Sequence, residues 1–193
     1  HIFGALSTMT PRKNPGAYIE VYRRLPLALR KEHRLVIAGP AQKVDDFLPF
    51  TTPEALEEVA PYVDLAGVLN PEAMAEHYGS ASVVLFPSKY EGFGLPMVAA
   101  SACATDVVAS NIPPFDEAAS SVASLHPPDD YENMAKACQH FIEDAEGAPG
   151  RYETAVAWGR KFGYEVYAET MNQFLSEKIS QGTSNKHGAG ETV

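Results

Sequence analysis

The chain has 193 residues, 45% of them hydrophobic, a formal net charge of −10 and two cysteines. That is enough to bury one sizeable core, so a single domain is expected; the acidic balance disfavours nucleic acid as a partner, and no apolar run approaches the ~18 residues of a membrane span. The charge is uneven: residues 1–43 carry 8 Lys and Arg against 2 acids, whereas residues 44–193 carry 7 against 23.

The chain opens at His1 directly into an apolar segment, with no Met, signal peptide or basic transit stretch, and reads as a piece of a longer protein. His1–Leu6 is a first central strand, and Ser7–Lys13 a loop. Asn14 followed by Pro15 is a helix start, a capping side chain before a proline at the first helical position. Tyr18, Val21, Tyr22, Leu25 and Leu29 then repeat at steps of three and four, giving one apolar stripe along a single helix. Arg23, Arg24, Arg30 and Lys31 fall in the same helix and read as its solvated face, although a basic first unit could also favour an anionic ligand.

Leu35–Gly39 is a second buried strand. Thr52-Pro53 and Asn70-Pro71 repeat the helix-start pattern, and Val63–Val68 between them is a third strand. Residues 82–86 and 106–109 form the fourth and fifth strands, and 122–125 a sixth. Asp129 or Asp130 caps a helix to about Glu143, and a last long helix runs from Arg151 to Lys178. Trp158, Phe162, Tyr164 and Tyr167 on it are packing aromatics. Residues 179–193 are a polar, glycine-rich tail expected to be disordered. Strands alternating with helices, without hairpin turns, define an α/β class with a doubly wound parallel sheet over residues 1–178. Cys103 and Cys138 lack metal-ligand spacing and read as small core residues of a reducing compartment.

The chemistry concentrates in Pro87-Ser88-Lys89-Tyr90-Glu91-Gly92-Phe93-Gly94-Leu95-Pro96, between the fourth strand and the helix that follows. A strand, a glycine-containing turn and a helix start aim free backbone N–H groups and the positive end of a helix dipole at one spot, which suits an anion. Gly92 and Gly94 would let a phosphate or sugar come close, and Glu91 sits where open α/β sheets bind ligands. From the residues alone, a tight turn needing two glycines beside a surface glutamate explains the stretch equally well.

PSKYEGFGLP resembles the signature of the donor-binding domain of the group 1 retaining glycosyltransferases, whose GT-B architecture has two Rossmann-like halves. The resemblance extends over almost the whole chain: Thr10-Pro11-Arg12-Lys13-Asn14 fits the end of the family's first βα loop, Gly67-Val68-Leu69 its turn after the third strand, and Asn111–Glu117 its segment after the fifth. It implies that Lys13 contacts the donor's diphosphate, where a fixed ammonium stabilises the leaving group without a metal. It further implies that Glu91 contacts the donor sugar near the reacting carbon, that the backbone of Gly92, Phe93, Gly94 and Leu95 holds the diphosphate, that Val68 edges the base, and that Glu117 is a structural cap. Without the resemblance, Lys13 would read as a solvated loop lysine.

Four positions depart from the pattern. Ser7 replaces the loop's glycine, Thr8 stands where many members place a second diphosphate-binding arginine, and Ala104 stands at the family's glycine before the fifth strand. Ala99 occupies the place of the glutamate that grips the nucleotide ribose, a loss worth about 2–4 kcal/mol of donor binding.

The resemblance thus implies half of a hexosyltransferase using a UDP- or GDP-linked donor, with no cofactor and no metal, in the cytoplasm. The acceptor site and any base would come from an absent N-terminal half, so the chain alone is expected to be inactive; the sequence does not decide whether it forms a homo-oligomer. The rival reading is a degenerate, non-catalytic relic that serves as an interaction module. A dinucleotide-dependent oxidoreductase is disfavoured, since the first βα loop lacks G-x-G-x-x-G.

Overall fold

The computed structural model describes residues 1–144, 150–163, 165, 166, 168–173 and 176. Six strands form one sheet: β1 (Ile2–Ala5), β2 (Leu35–Ala38), β3 (Val63–Gly67), β4 (Val83–Phe86), β5 (Val107–Ser110) and β6 (Ala123–His126). Their order is β3-β2-β1-β4-β5-β6, and every pairing is parallel. The expected doubly wound α/β sheet is therefore the observed one, with each strand within a residue or two of its expected place.

Both faces of the sheet are apolar because the strands alternate between two cores. Ile2, Leu35, Ile37, Val83, Leu85 and Val108 face one core, shared with α1 (Pro15–Arg23), α3 (Pro53–Val59) and α7 (Tyr131–Glu143). Phe3, Val84, Phe86, Val107 and Ala109 face the other, shared with α4 (Pro71–Ser80), α5 (Leu95–Ala102) and α6 (Pro113–Ala118). There the rings of Phe86 and Phe115 stack with centroids 5.2 Å apart. Cys138 is fully buried in the first core, where burial pushes its thiol up to about 12, and both cysteines are free.

The stripe expected as one helix is two, α1 and α2 (Leu27–Glu32). Pro26 breaks it, because proline removes a ladder donor and disfavours helical backbone at the residue before it. The break alters the fate of the basic face. Arg30 is buried, its Nη2 3.0 Å from Glu58, while Arg23 and Arg24 pair with Glu20, so three of the four expected solvated cations are consumed by ion pairs.

Two further local expectations change. Asn111 and Ile112 lead into α6, whose N-cap is Ile112; Glu117 lies exposed in its last turn and, among the described residues, caps nothing. Where the pattern predicts one helix from Arg151 to Lys178, α8 (Arg151–Arg160) is followed by a turn in which Gly163 N donates to Arg160 O at 3.2 Å, and residues 165, 166, 168–173 and 176 are helical again. His1–Gly159 forms one compact unit and residues from Arg160 onward a second. In the first, Trp158 Nε1 donates to Ala118 O, a packing role. Tyr164, Tyr167 and the tail 179–193 lie outside the described residues.

Helix α5 ends in a Schellman turn: Ala104 N donates to Ser101 O and Thr105 N to Ala100 O. That turn needs a left-handed residue at position 104, and Ala104 adopts φ 59, where an L side chain costs roughly 1–2 kcal/mol. Replacing Ala104→Gly removes that strain but adds freedom to the unfolded chain. The variant is expected to be more stable by about 0.5–1 kcal/mol in urea denaturation; equal or lower stability would mean that the turn is unstrained.

Candidate active site

In this strand order the crevice lies between β1 and β4, where the chain reverses its direction of winding, and ligands of such sheets bind outside the carboxyl ends of the strands there. Two loops border it, the one after β1 and the one after β4.

The first loop ends in a 3-10 turn, Pro11–Lys13, closed by Asn14 at φ 52. Asn14 occupies the N-cap position of α1, yet its side chain makes no cap hydrogen bond, contrary to the sequence expectation. The left-handed backbone is the reason: Thr52 and Asn70, both extended, do cap their helices, accepting from Ala55 N and Ala73 N. Asn14 Nδ2 instead donates to Pro87 O at 3.1 Å and Pro128 O at 3.3 Å. Arg12 O accepts from Lys89 N and Tyr90 N. The loop after β1 is thereby fastened to the loops after β4 and β6, which are themselves joined by an ion pair between Lys89 and Asp129 at 2.8 Å. Each partner of that pair shifts the other, raising the Lys89 ammonium and lowering the Asp129 carboxyl.

Lys13 and Glu91 meet across the crevice. Lys13 Nζ lies 2.5 Å from Glu91 Oε1, and the residues are only 8% and 9% exposed. Lys13 Nζ also stands 5.8 Å from the Phe86 ring centroid. The pair is therefore held away from water, where its mutual attraction is little screened.

The two glycines of the second loop have separate reasons. Gly94 has φ 105, and a Cβ there would come within 2.8 Å of the Phe115 ring, so the fold itself demands it. Gly92 is exposed with no atom within 4 Å of a notional Cβ, which leaves room for a ligand. At the start of α5, Pro96 removes one donor and Met97 N is spent on Gly94 O. Among the described residues, the amides of Gly92, Gly94 and Leu95 have no acceptor within the chain. Phe93 is half-buried between them.

A cavity of about 530 Å³ opens beside the ion pair, over the carboxyl ends of β1, β2 and β3 and against α4 and α5. Of the expected site residues, Lys13, Leu95 and Val68 line it; Glu91 adjoins it through Lys13, and Gly92, Phe93 and Gly94 lie outside its walls. Val68 and Leu95 are 85% and 68% exposed. Ser7 and Ala99, two of the departures, line it too, whereas Thr8 turns its hydroxyl to Thr10 Oγ1 at 3.1 Å.

Sequence reasoning gave Gly39 and Pro40 no role and did not reach Met74 and Tyr78, yet all four are walls of the cavity. For Gly39 a signal existed in its place at the end of β2. Its φ is 152, and a Cβ would lie 2.1 Å from Leu6 O. Burial first, then Cys103, raises the Tyr78 phenol above its ordinary value, so it remains a neutral hydroxyl.

A parallel six-stranded sheet with this strand order and helices on both faces defines a domain of the Rossmann-like class. The chain belongs to the family described as "Glycosyl transferases group 1", which matches residues 1–160. Among curated relatives it is similar to O-antigen chain mannosyltransferase B of Escherichia coli, 26% identical over 88% of this chain and 44% of that protein. It is also similar to D-inositol 3-phosphate glycosyltransferase of Geodermatophilus obscurus, 28% identical over 83% of this chain and 38% of the relative. Sucrose-phosphate synthase from Thermosynechococcus elongatus shares the fold with a TM-score of 0.75 and 24% identity, over 93% of this chain and 46% of that one. Anabaena HepE in complex with UDP-glucose does so with a TM-score of 0.68 and 20% identity, over 93% and 48%. The chain thus spans less than half the length of each of these proteins, and its sheet is one half of a GT-B architecture.

Asn14 is the fastening most open to test. Asn14→Ala deletes two hydrogen bonds and keeps the left-handed strain, and should cost about 2–3 kcal/mol in urea denaturation; Asn14→Gly, which relieves the strain, should cost about 1 kcal/mol less. Two variants indistinguishable from the parent would show that the loops hold without that amide.

Proposed function

We propose that this chain is the donor-binding half of a glycosyltransferase that moves a hexose from a UDP- or GDP-linked sugar to a glycan or lipid-linked acceptor, with retention at the anomeric carbon. The observation that carries the reading is that the Lys13 ammonium and the amino end of α5 at Leu95 border one cavity at the switch point. As the bond between sugar and diphosphate breaks, the departing nucleoside diphosphate gains negative charge. A cation and backbone donors already in place stabilise that charge without reorganising. An ammonium has three N–H donors; one is given to Glu91, and two remain for phosphate oxygens.

Glu91 holds that ammonium in place and orients the sugar, while Gly92, Phe93, Gly94 and Leu95 supply the backbone rim and Val68 the edge of the base site. Because Lys13 neutralises the leaving group, the chemistry needs no metal and no cofactor beyond the donor. The acceptor site and any base belong to a further half of the protein, and this chain alone is expected to transfer nothing. The reading places the domain in the cytoplasm with its donor. The nucleotide sugar bound by the HepE neighbour and the O-antigen role of the mannosyltransferase relative support it.

One observation favours the second reading, a domain that has lost catalysis and serves as an interaction module: Ala99 presents a methyl group to the cavity where the family resemblance called for a carboxylate. The two readings part on donor binding. In calorimetric titration UDP or GDP should bind, and Lys13→Ala made together with Glu91→Gln, so that no buried charge is orphaned, should weaken that binding by about 10- to 100-fold, corresponding to about 1.5–3 kcal/mol. Affinity untouched by the double substitution would remove Lys13 from the site and sink the proposal.

A further inference from the structure

Resting on that reading of the cavity as a nucleotide site, we propose that it does not discriminate ribose from deoxyribose, so that 2′-deoxynucleoside diphosphates and their sugars are ligands equal to the ribonucleotides. Sheets of this strand order commonly hold a ribose through a carboxylate that accepts from its hydroxyls. Among the described residues, Glu91 beside the cavity is paired with the Lys13 ammonium, and the other places from which such a carboxylate could reach are occupied by something else.

At the end of β2 stand Gly39 and Pro40, with no side-chain acceptor. The acids that follow lie elsewhere: Asp45 is exposed, and Asp46 Oδ2 accepts from the amides of Gln42 and Lys43 in its own turn. On α5, Ala99 follows Leu95 by four residues, on the same face and about 6 Å along the axis. A nucleoside attached to a diphosphate at Lys13 and Leu95 would run along that face, over the Ala99 methyl. On α4, the cavity sees Met74 and Tyr78, one turn apart, which leaves Glu72 and Glu76, each displaced by two residues from that pair, on the opposite side of the helix. Asp64 on β3 is committed to a two-pronged pair with Arg34.

Among the described residues that wall the cavity Lys13 alone is charged, beside the hydroxyls of Ser7 and Tyr78, and on the donor-site reading it faces phosphate rather than the sugar. A site that hydrogen-bonds a hydroxyl rejects the analogue lacking it strongly, whereas an apolar wall is nearly indifferent.

The test is calorimetric titration of the chain with UDP against dUDP and GDP against dGDP, before and after Ala99→Glu. The proposal expects the ribo and deoxy forms of whichever base binds to agree within about threefold, and Ala99→Glu to shift the ratio by roughly tenfold in favour of ribose. A preference for ribose of roughly tenfold or more in the parent chain would overturn it, and so would a ratio that Ala99→Glu, shown folded by its denaturation curve, leaves unchanged. Failure of all four nucleotides to bind would instead overturn the donor-site reading beneath it.

Discussion

The constraint on which the site depends is the fastening of the loop after β1 to the loop after β4. Those strands are neighbours in the sheet, but their loops depart toward opposite windings, so a crevice between them is unavoidable. Left alone, two loops bordering a crevice would be held only at their strand ends. Arg12 O and the Asn14 amide supply backbone-directed bonds across it, and the Lys13–Glu91 pair adds a buried charge interaction at its centre. Breaking such a pair by removing one partner leaves a desolvated charge, typically a cost of about 3–5 kcal/mol. The same geometry that keeps the loops together fixes one ammonium at the edge of the cavity, so on the donor-site reading stability and function make the same demand of Lys13.

Charge elsewhere in the chain is spent differently. The basic excess of residues 1–43 could suggest a field that draws anions, but its arginines are largely neutralised in place: Arg23 and Arg24 on Glu20, Arg30 on Glu58, and Arg34 on Asp64. Arg30 keeps Nε and Nη1 without hydrogen-bond partners even so, which makes its burial a cost rather than a source of stability. The charge offered at the cavity is therefore a local matter of one cation and a helix terminus, with walls that are otherwise mostly apolar.

The sheet was legible because buried parallel strands write themselves as short β-branched runs, and Leu35–Ala38 or Val83–Phe86 admit little else. The caps at Thr52 and Asn70 were legible because the local backbone obeys the local signal. Asn14 carries the same Asn-Pro wording and does otherwise, since its conformation is set by carbonyls 73 and 114 residues away. Arg30 and Glu58 are likewise distant in sequence, and no periodicity announces their meeting. For Lys13 and Glu91 the residues alone left a surface role open; only the wording of the motifs brought them forward. Gly39, Met74 and Tyr78 come together as walls only once β2 and α4 lie on the same side of the switch point.

The departures at Ala104 and Ala99 look alike in sequence, each a small residue in place of the one the family resemblance called for, but they differ in kind. At Ala104 the backbone takes the left-handed turn and absorbs the strain, so α5 closes in its Schellman turn ahead of β5. What is altered there is a free energy, not a surface. At Ala99 the backbone is ordinary helix and nothing is strained; what changes is the chemistry offered to whatever fills the cavity. A substitution that the fold resists but survives speaks to stability, whereas one that the fold ignores while a cavity wall changes character speaks to selection of the ligand. On the proposed donor-site reading, selectivity is to be sought along α5 and at the ends of β2 and β3, and the holding of phosphate at the loops after β1 and β4.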